Sequence, residues 1–127
     1  MSNNLNEVES PKVAIVGMGY VGLTLASHIA NLGFEIRGVE KNSNTIETLN
    51  NNNLHLNEPG VQEAVYSHMN KNWTVGDSYT FNPDVVIICV STPIDEFGQP
   101  NLNNINDSIH SMSSFLSKET LVIIRST

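Results

Sequence analysis

Gly17-Met18-Gly19-Tyr20-Val21-Gly22 spells G-x-G-x-x-G. That spacing suits a turn that has to meet a phosphate. The first glycine lets the chain leave a strand sharply. The second has no side chain, so a pyrophosphate can reach the backbone, and the third lets the next helix pack close to a sheet. The helix start then offers free N–H groups and the positive end of its dipole to the anion. Glycines also fall at this spacing by chance, so the motif counts only between a strand and a helix. The alternative is a tight strand–helix turn with no ligand. Glu40 follows about 20 residues later, where a carboxylate can accept both hydroxyls of an adenosine ribose and repel a 2′-phosphate. The pair favours NAD over NADP as cofactor. Lys41 tempers that preference, because a cation beside Glu40 can tolerate the extra phosphate. The alternative for Glu40 is a solvated acid at a strand end.

The elements around these residues supply the context. Lys12 to Val16 is a short β-branched run that stops at Gly17 and reads as a buried strand. From Tyr20 to Leu32 the pattern turns helical, with Val21, Leu25, Ile29 and Leu32 as its apolar stripe and Gly33 as its stop. Phe34 to Glu40 is a second strand. Asn44, with Glu47 after it and an apolar edge of Ile46 and Leu49, opens a short helix that Asn50 to Asn53 end. Glu58-Pro59-Gly60 is a turn before a helix from Val61 to Met69, and Trp73 to Val75 is a weak strand. Asp84 to Ser91 is the strongest strand, because Val85 to Val90 runs without a polar break and so implies burial on both faces. Thr92-Pro93 ends it. Ile105, Ile109, Met112 and Leu116 mark another helix, and Leu121 to Ile124 is the last strand. Alternating strands and helices predict an α/β fold, a Rossmann-type doubly wound parallel sheet in three layers, α/β/α. Right-handed crossovers give strand order 3-2-1-4-5. Met1 to Ser10 reads as a loose polar tail and residues 11–127 as one dinucleotide-binding domain.

Bulk properties narrow the partners. The 127 residues carry a net charge of −7 with 39% apolar residues, which suits one folded domain and disfavours nucleic acid. No apolar run approaches the ~18–20 residues of a membrane span, and the first residues lack a signal peptide's basic start and apolar core. The single cysteine, Cys89, excludes an internal disulfide and fits a reducing cytoplasm.

Further motifs extend the reading. Gly17 to Leu23 reads G-M-G-Y-V-G-L, and its Tyr-Val-Gly-Leu tail is not required by dinucleotide binding in general. Asn57-Glu58-Pro59-Gly60-Val61, Cys89-Val90-Ser91-Thr92-Pro93 and Arg125-Ser126-Thr127 follow in order. Together they resemble the UDP-glucose/GDP-mannose dehydrogenase family, the nucleotide-sugar 6-dehydrogenases, over about residues 12 to 127. The resemblance implies a parent enzyme that oxidises the C6 hydroxyl of a UDP- or GDP-sugar to a carboxylate with two NAD, through a thioester on a catalytic cysteine. That cysteine, its helpers and the sugar-binding domain belong to later regions of the family chain. The resemblance therefore implies that these residues alone hold NAD, and that a nucleotide sugar binds only in the longer protein. It also implies that Tyr20 and Val21 line the pyrophosphate turn. Val90, Ser91 and Thr92 are implied to sit over the cofactor at the sheet's switch point, and Thr127 to position a water or the substrate hydroxyl. Two positions depart from the usual pattern: Glu40 stands where many relatives have aspartate, and Ser91 where many have proline or glycine.

Other residues invite chemistry less. Cys89 lies in an apolar strand, where a thiol stays protonated, and it does not match the family's nucleophile. His28, His55, His68 and His110 have no metal-ligand spacing. His28 falls in the first helix's apolar stripe and is expected to pack there, and His55 is expected to be a solvated loop residue. Asp95 and Glu96 read as a polar turn before Gly98 and Pro100. The last strand has no partner on its far side in this sequence, so self-association through its edge or through the uncovered apolar faces is expected. Two other functional readings stand beside the first: another NAD-dependent dehydrogenase on the same fold, and a stand-alone dinucleotide-binding module.

Overall fold

A computed structural model describes residues 10–125; the expected tail at residues 1–9, and Ser126 and Thr127, lie outside the described residues. Strand β1 is Lys12–Val16, followed by helix α1 at Tyr20–Asn31 and strand β2 at Glu35–Val39. Helices α2 (Ser43–Asn50) and α3 (Val61–His68) lead to β3 at Trp73–Gly76. Strand β4 is Val85–Ile88, helix α4 is Asn103–Met112 with a 3-10 turn at Ser113–Phe115, and β5 is Leu121–Ile124. The five strands are all parallel in the order β3-β2-β1-β4-β5, the doubly wound arrangement that the sequence predicts.

Each strand alternates its side chains between two apolar layers. Val13 and Ile15 of β1, Ile36 of β2, Trp73 and Val75 of β3 and Ile87 of β4 pack with Leu23, Ala26 and Ala30 of α1 and Val61, Ala64 and Val65 of α3. Ala14, Val16, Val39, Val86 and Ile88 point the other way, toward Met112 at the end of α4. The chain therefore winds outward from β1 in both directions, and the crevice between β1 and β4 opens at the strands' C-terminal ends. In an open α/β sheet this switch point is where ligands bind.

Several expectations shift for physical reasons. The buried face of α1 is Gly22, Leu23, Ala26, Ser27 and Ala30, not the expected stripe. Leu25 and Ile29 are only half-buried, Leu32 is 75% exposed, and His28 is exposed rather than packed. Small residues face the sheet because the helix must start directly against it. Strand β4 ends at Ile88 rather than Ser91. Its neighbour β1 stops at Val16, and after the Cys89 N–H donates to the Val16 carbonyl (2.8 Å) there is no further strand to pair with. Helix α2 is capped by Asn42 rather than Asn44. The Asn42 Oδ1 accepts from the N–H groups of Asn44 and Thr45 at 2.9 and 3.1 Å. Helix α4 stops at Met112 and buries Ser108 and Met112, leaving Ile109 and Leu116 exposed.

The glycine turn sets how close α1 can come. Gly17 adopts φ +96°, a left-handed conformation that disfavours other residues. A Cβ on Gly22 would overlap the Gly17 carbonyl, whereas one on Gly19 would meet nothing within 4 Å. Gly22→Ala is therefore expected to destabilise the fold by about 2 kcal/mol or more, since overpacking against backbone cannot be relieved by a rotamer change. Gly19→Ala should leave the urea midpoint nearly unchanged. Equal midpoints for the two variants in urea denaturation would contradict this account of the turn.

Candidate dinucleotide site

A cavity of about 440 Å³ opens where β1, β2 and β4 end. Gly17, Gly19, Tyr20 and Val21 form its floor, Glu40 and Lys41 one side, and Val90 and Ser91 the other. Gly22 lies buried beneath the floor, and Thr92 follows Ser91 outside the lining. Thr127 lies outside the described residues.

Helix α1 begins without a side-chain cap. The first N–H groups of any helix lack intrahelical partners, and here they sit at the cavity floor with the positive end of the dipole. The space over Gly19 is open. Uncapped donors below open space form a cradle that fits a pyrophosphate.

Glu40 is tied into this floor. Its Oε1 accepts from the Met18 N–H at 2.7 Å, and its Oε2 accepts from the Asn42 N–H at 3.0 Å. Bonds from backbone donors to a carboxylate are each worth about 1.5–3 kcal/mol in general, less where water competes, as at this half-buried residue. Each carboxylate oxygen has a second lone pair, so acceptor capacity remains for ribose hydroxyls. The Lys41 ammonium lies 3.4 Å from Asp107 of α4. Both side chains are well exposed, so the pair adds little stability, but it draws the cation toward α4.

The lining also includes residues outside the predicted site set. Asp77, just past β3, and Asn104, Ser108 and Ser111 of α4 line the cavity, as does Arg125 after β5. Their common signal was position, at the C-terminal ends of strands or on the helix over the switch point. The Asn104 amide donates to the Ser91 carbonyl (3.0 Å) and to its hydroxyl (3.2 Å), fixing the segment that leaves β4. Beside the turn, His55 is an exposed loop residue, as expected, and its Nε2 also bonds the Met18 carbonyl at 2.7 Å. Glu58, as hydrogen-bond acceptor first and as a negative charge second, raises the pKa of the exposed Tyr20 phenol above the ordinary value. Asp95 forms the expected turn: its Oδ1 accepts from the Phe97 and Gln99 N–H groups. Among the described residues, no three His, Cys, Asp or Glu side chains are placed to hold a metal ion, and no helix is long and apolar enough to cross a membrane.

Residues 11–127 match the model of the UDP-glucose/GDP-mannose dehydrogenase family, NAD binding domain, and the chain belongs to that family. It is 33% identical over 121 residues to a UDP-N-acetyl-D-mannosamine dehydrogenase of Methanococcus maripaludis, covering 91% of this chain and 28% of that protein. The solved structure of the UDP-N-acetyl-mannosamine dehydrogenase Cap5O from Staphylococcus aureus superposes with a TM-score of 0.82 at 32% identity, over 91% of this chain and 29% of that one. A ternary complex of GDP-mannose dehydrogenase from Pseudomonas aeruginosa gives a TM-score of 0.79 at 26% identity, over 91% and 28%. The chain thus spans under a third of the length of these relatives.

Cys89 lines the cavity half-buried. Burial pushes its thiol pKa up, and Arg125 only partly opposes this. A raised pKa means little thiolate near neutrality and continued gain at higher pH. Iodoacetamide should therefore label Cys89 more slowly than free cysteine at pH 8, with a rate still rising above pH 9, as read by mass spectrometry. Rapid labelling that levels off below pH 8 would show an activated thiol instead.

Proposed function

We propose that this chain binds NAD as the cofactor module of a nucleotide-sugar 6-dehydrogenase, an enzyme that converts the C6 hydroxyl of a UDP- or GDP-sugar to a carboxylate. The observation that carries the reading is the uncapped start of α1 under open space, with Glu40 fixed at the same turn. In this reading the pyrophosphate takes the N–H groups of Gly19, Tyr20 and Val21. The adenosine ribose takes the remaining lone pairs of Glu40, whose charge disfavours a 2′-phosphate. Val90, Ser91 and Thr92 run along the nicotinamide half, and Thr127 positions a water or the substrate hydroxyl. The cofactor, when bound, supplies hydride acceptance, and the protein supplies orientation and charge.

The names of the relatives support an oxidoreductase parent acting on a nucleotide sugar, as does the family match over residues 11–127. Within these 127 residues the sole thiol is Cys89, whose raised pKa suits it poorly to hold a thioester. The module is therefore proposed to bind cofactor without turning substrate over, and to work in the cytoplasm.

Calorimetric titration with NAD, NADP and UDP-glucose tests this. NAD should bind, NADP more weakly, and UDP-glucose not at all, and Glu40→Ala should weaken NAD and narrow the gap to NADP. Failure of NAD to bind, or equal binding of NAD and NADP, would contradict the reading.

Self-association belongs to the same proposal. Among the described residues β5 pairs only with β4, and Leu121, Val122, Ile123 and Ile124 are 37–56% exposed. An apolar strand edge of this kind recruits further strands. Sedimentation velocity should show mass above the monomer that rises with concentration; a monomer throughout would remove this part.

A further inference from the structure

Met18 is held from three directions. Its side chain is fully buried and its thioether lies over Gly38, where a Cβ would come within 2.8 Å of the sulfur. Its N–H donates to Glu40 Oε1. Its carbonyl faces His55 Nε2 at 2.7 Å. A carbonyl oxygen only accepts, so Nε2 carries the proton and donates.

The third contact has a consequence for the next peptide. In a trans peptide the C=O and the following N–H point in opposite directions. The described backbone has no cis bonds, so the Gly19 N–H points away from His55. Gly19 lines the cavity and His55 does not. A flip of the Met18–Gly19 peptide would turn a carbonyl oxygen toward the space where an anion sits and remove a donor from it. Glycine at position 19 makes such a flip cheap, because it tolerates the φ values that a flip requires.

We propose that His55 is a positioning residue for the phosphate-binding turn, donating Nε2–H to the Met18 carbonyl so that the Gly19 N–H stays aimed at the pyrophosphate. This contact joins the loop before α3 to the glycine turn, so the turn is braced from outside the strand–helix unit that contains its glycines. The proposal rests on the NAD-binding reading for its ligand, but the bracing itself can be measured without one.

The test uses the chain, His55→Ala and His55→Gln. Glutamine keeps an N–H donor at similar reach. Amide resonances and hydrogen exchange at Gly19 and Tyr20 are recorded without ligand, NAD affinity is measured by calorimetry, and Tm is measured for each protein. His55→Ala should shift the Gly19 amide, speed its exchange and weaken NAD by about three- to tenfold, the worth of one neutral hydrogen bond. His55→Gln should restore most of the affinity and the amide position. A lower Tm in His55→Ala with Gly19 and NAD affinity unchanged would overturn the proposal, and so would a glutamine variant as impaired as alanine. If the unsubstituted chain binds no NAD, the cofactor reading falls, while the Gly19 amide alone still decides whether His55 holds the turn.

Discussion

The molecule is organised by how closely α1 must approach the sheet at the end of β1. Strand β1 ends at Val16, and the chain has to turn within Gly17 to Gly19 and start a helix whose first buried residue is Gly22. The helix axis can lie this low only because Gly22 has no side chain to meet the Gly17 carbonyl, and because Ala26 and Ala30 continue the same narrow face. The close approach brings the positive end of α1 to the mouth of the sheet, beside the ends of β2 and β4. The packing constraint and the anion site therefore share one geometry.

Electrostatics at the site are local rather than global. The chain carries a net charge of −7, which opposes the approach of a dinucleotide. What can favour an anion is a handful of backbone donors at the uncapped start of α1. Glu40 accepts from two N–H groups of the turn region and, in the proposed reading, also stands as a negative wall against a 2′-phosphate. Lys41, which could have cancelled that wall, is drawn to Asp107.

The sheet order and the glycine turn were legible in the sequence because both rest on local signals: β-branched runs, a glycine spacing and a period change. The face of α1 was less legible because its packed side is marked by the small residues Gly22, Ala26 and Ala30 at helical spacing, not by its large apolar ones. The overrun of β4 arose because hydrophobicity continues past Ile88 while pairing stops with β1. Gly17, Gly19, Tyr20, Val21, Glu40, Lys41, Val90 and Ser91 line one cavity, as the motif reading requires. Asp77 and Asn104 are brought to the cavity, and His55 to the turn, by tertiary contacts that no spacing encodes, and Arg125 was legible only as part of the Arg125-Ser126-Thr127 motif.

In the proposed function the start of α1 and Glu40 together receive a dinucleotide. A crystal structure of this chain with NAD tests that most directly. The account requires the pyrophosphate within hydrogen-bond distance of the Gly19 and Tyr20 N–H groups, and the adenosine ribose on Glu40. A dinucleotide bound elsewhere, or one that leaves this turn solvated, would contradict it.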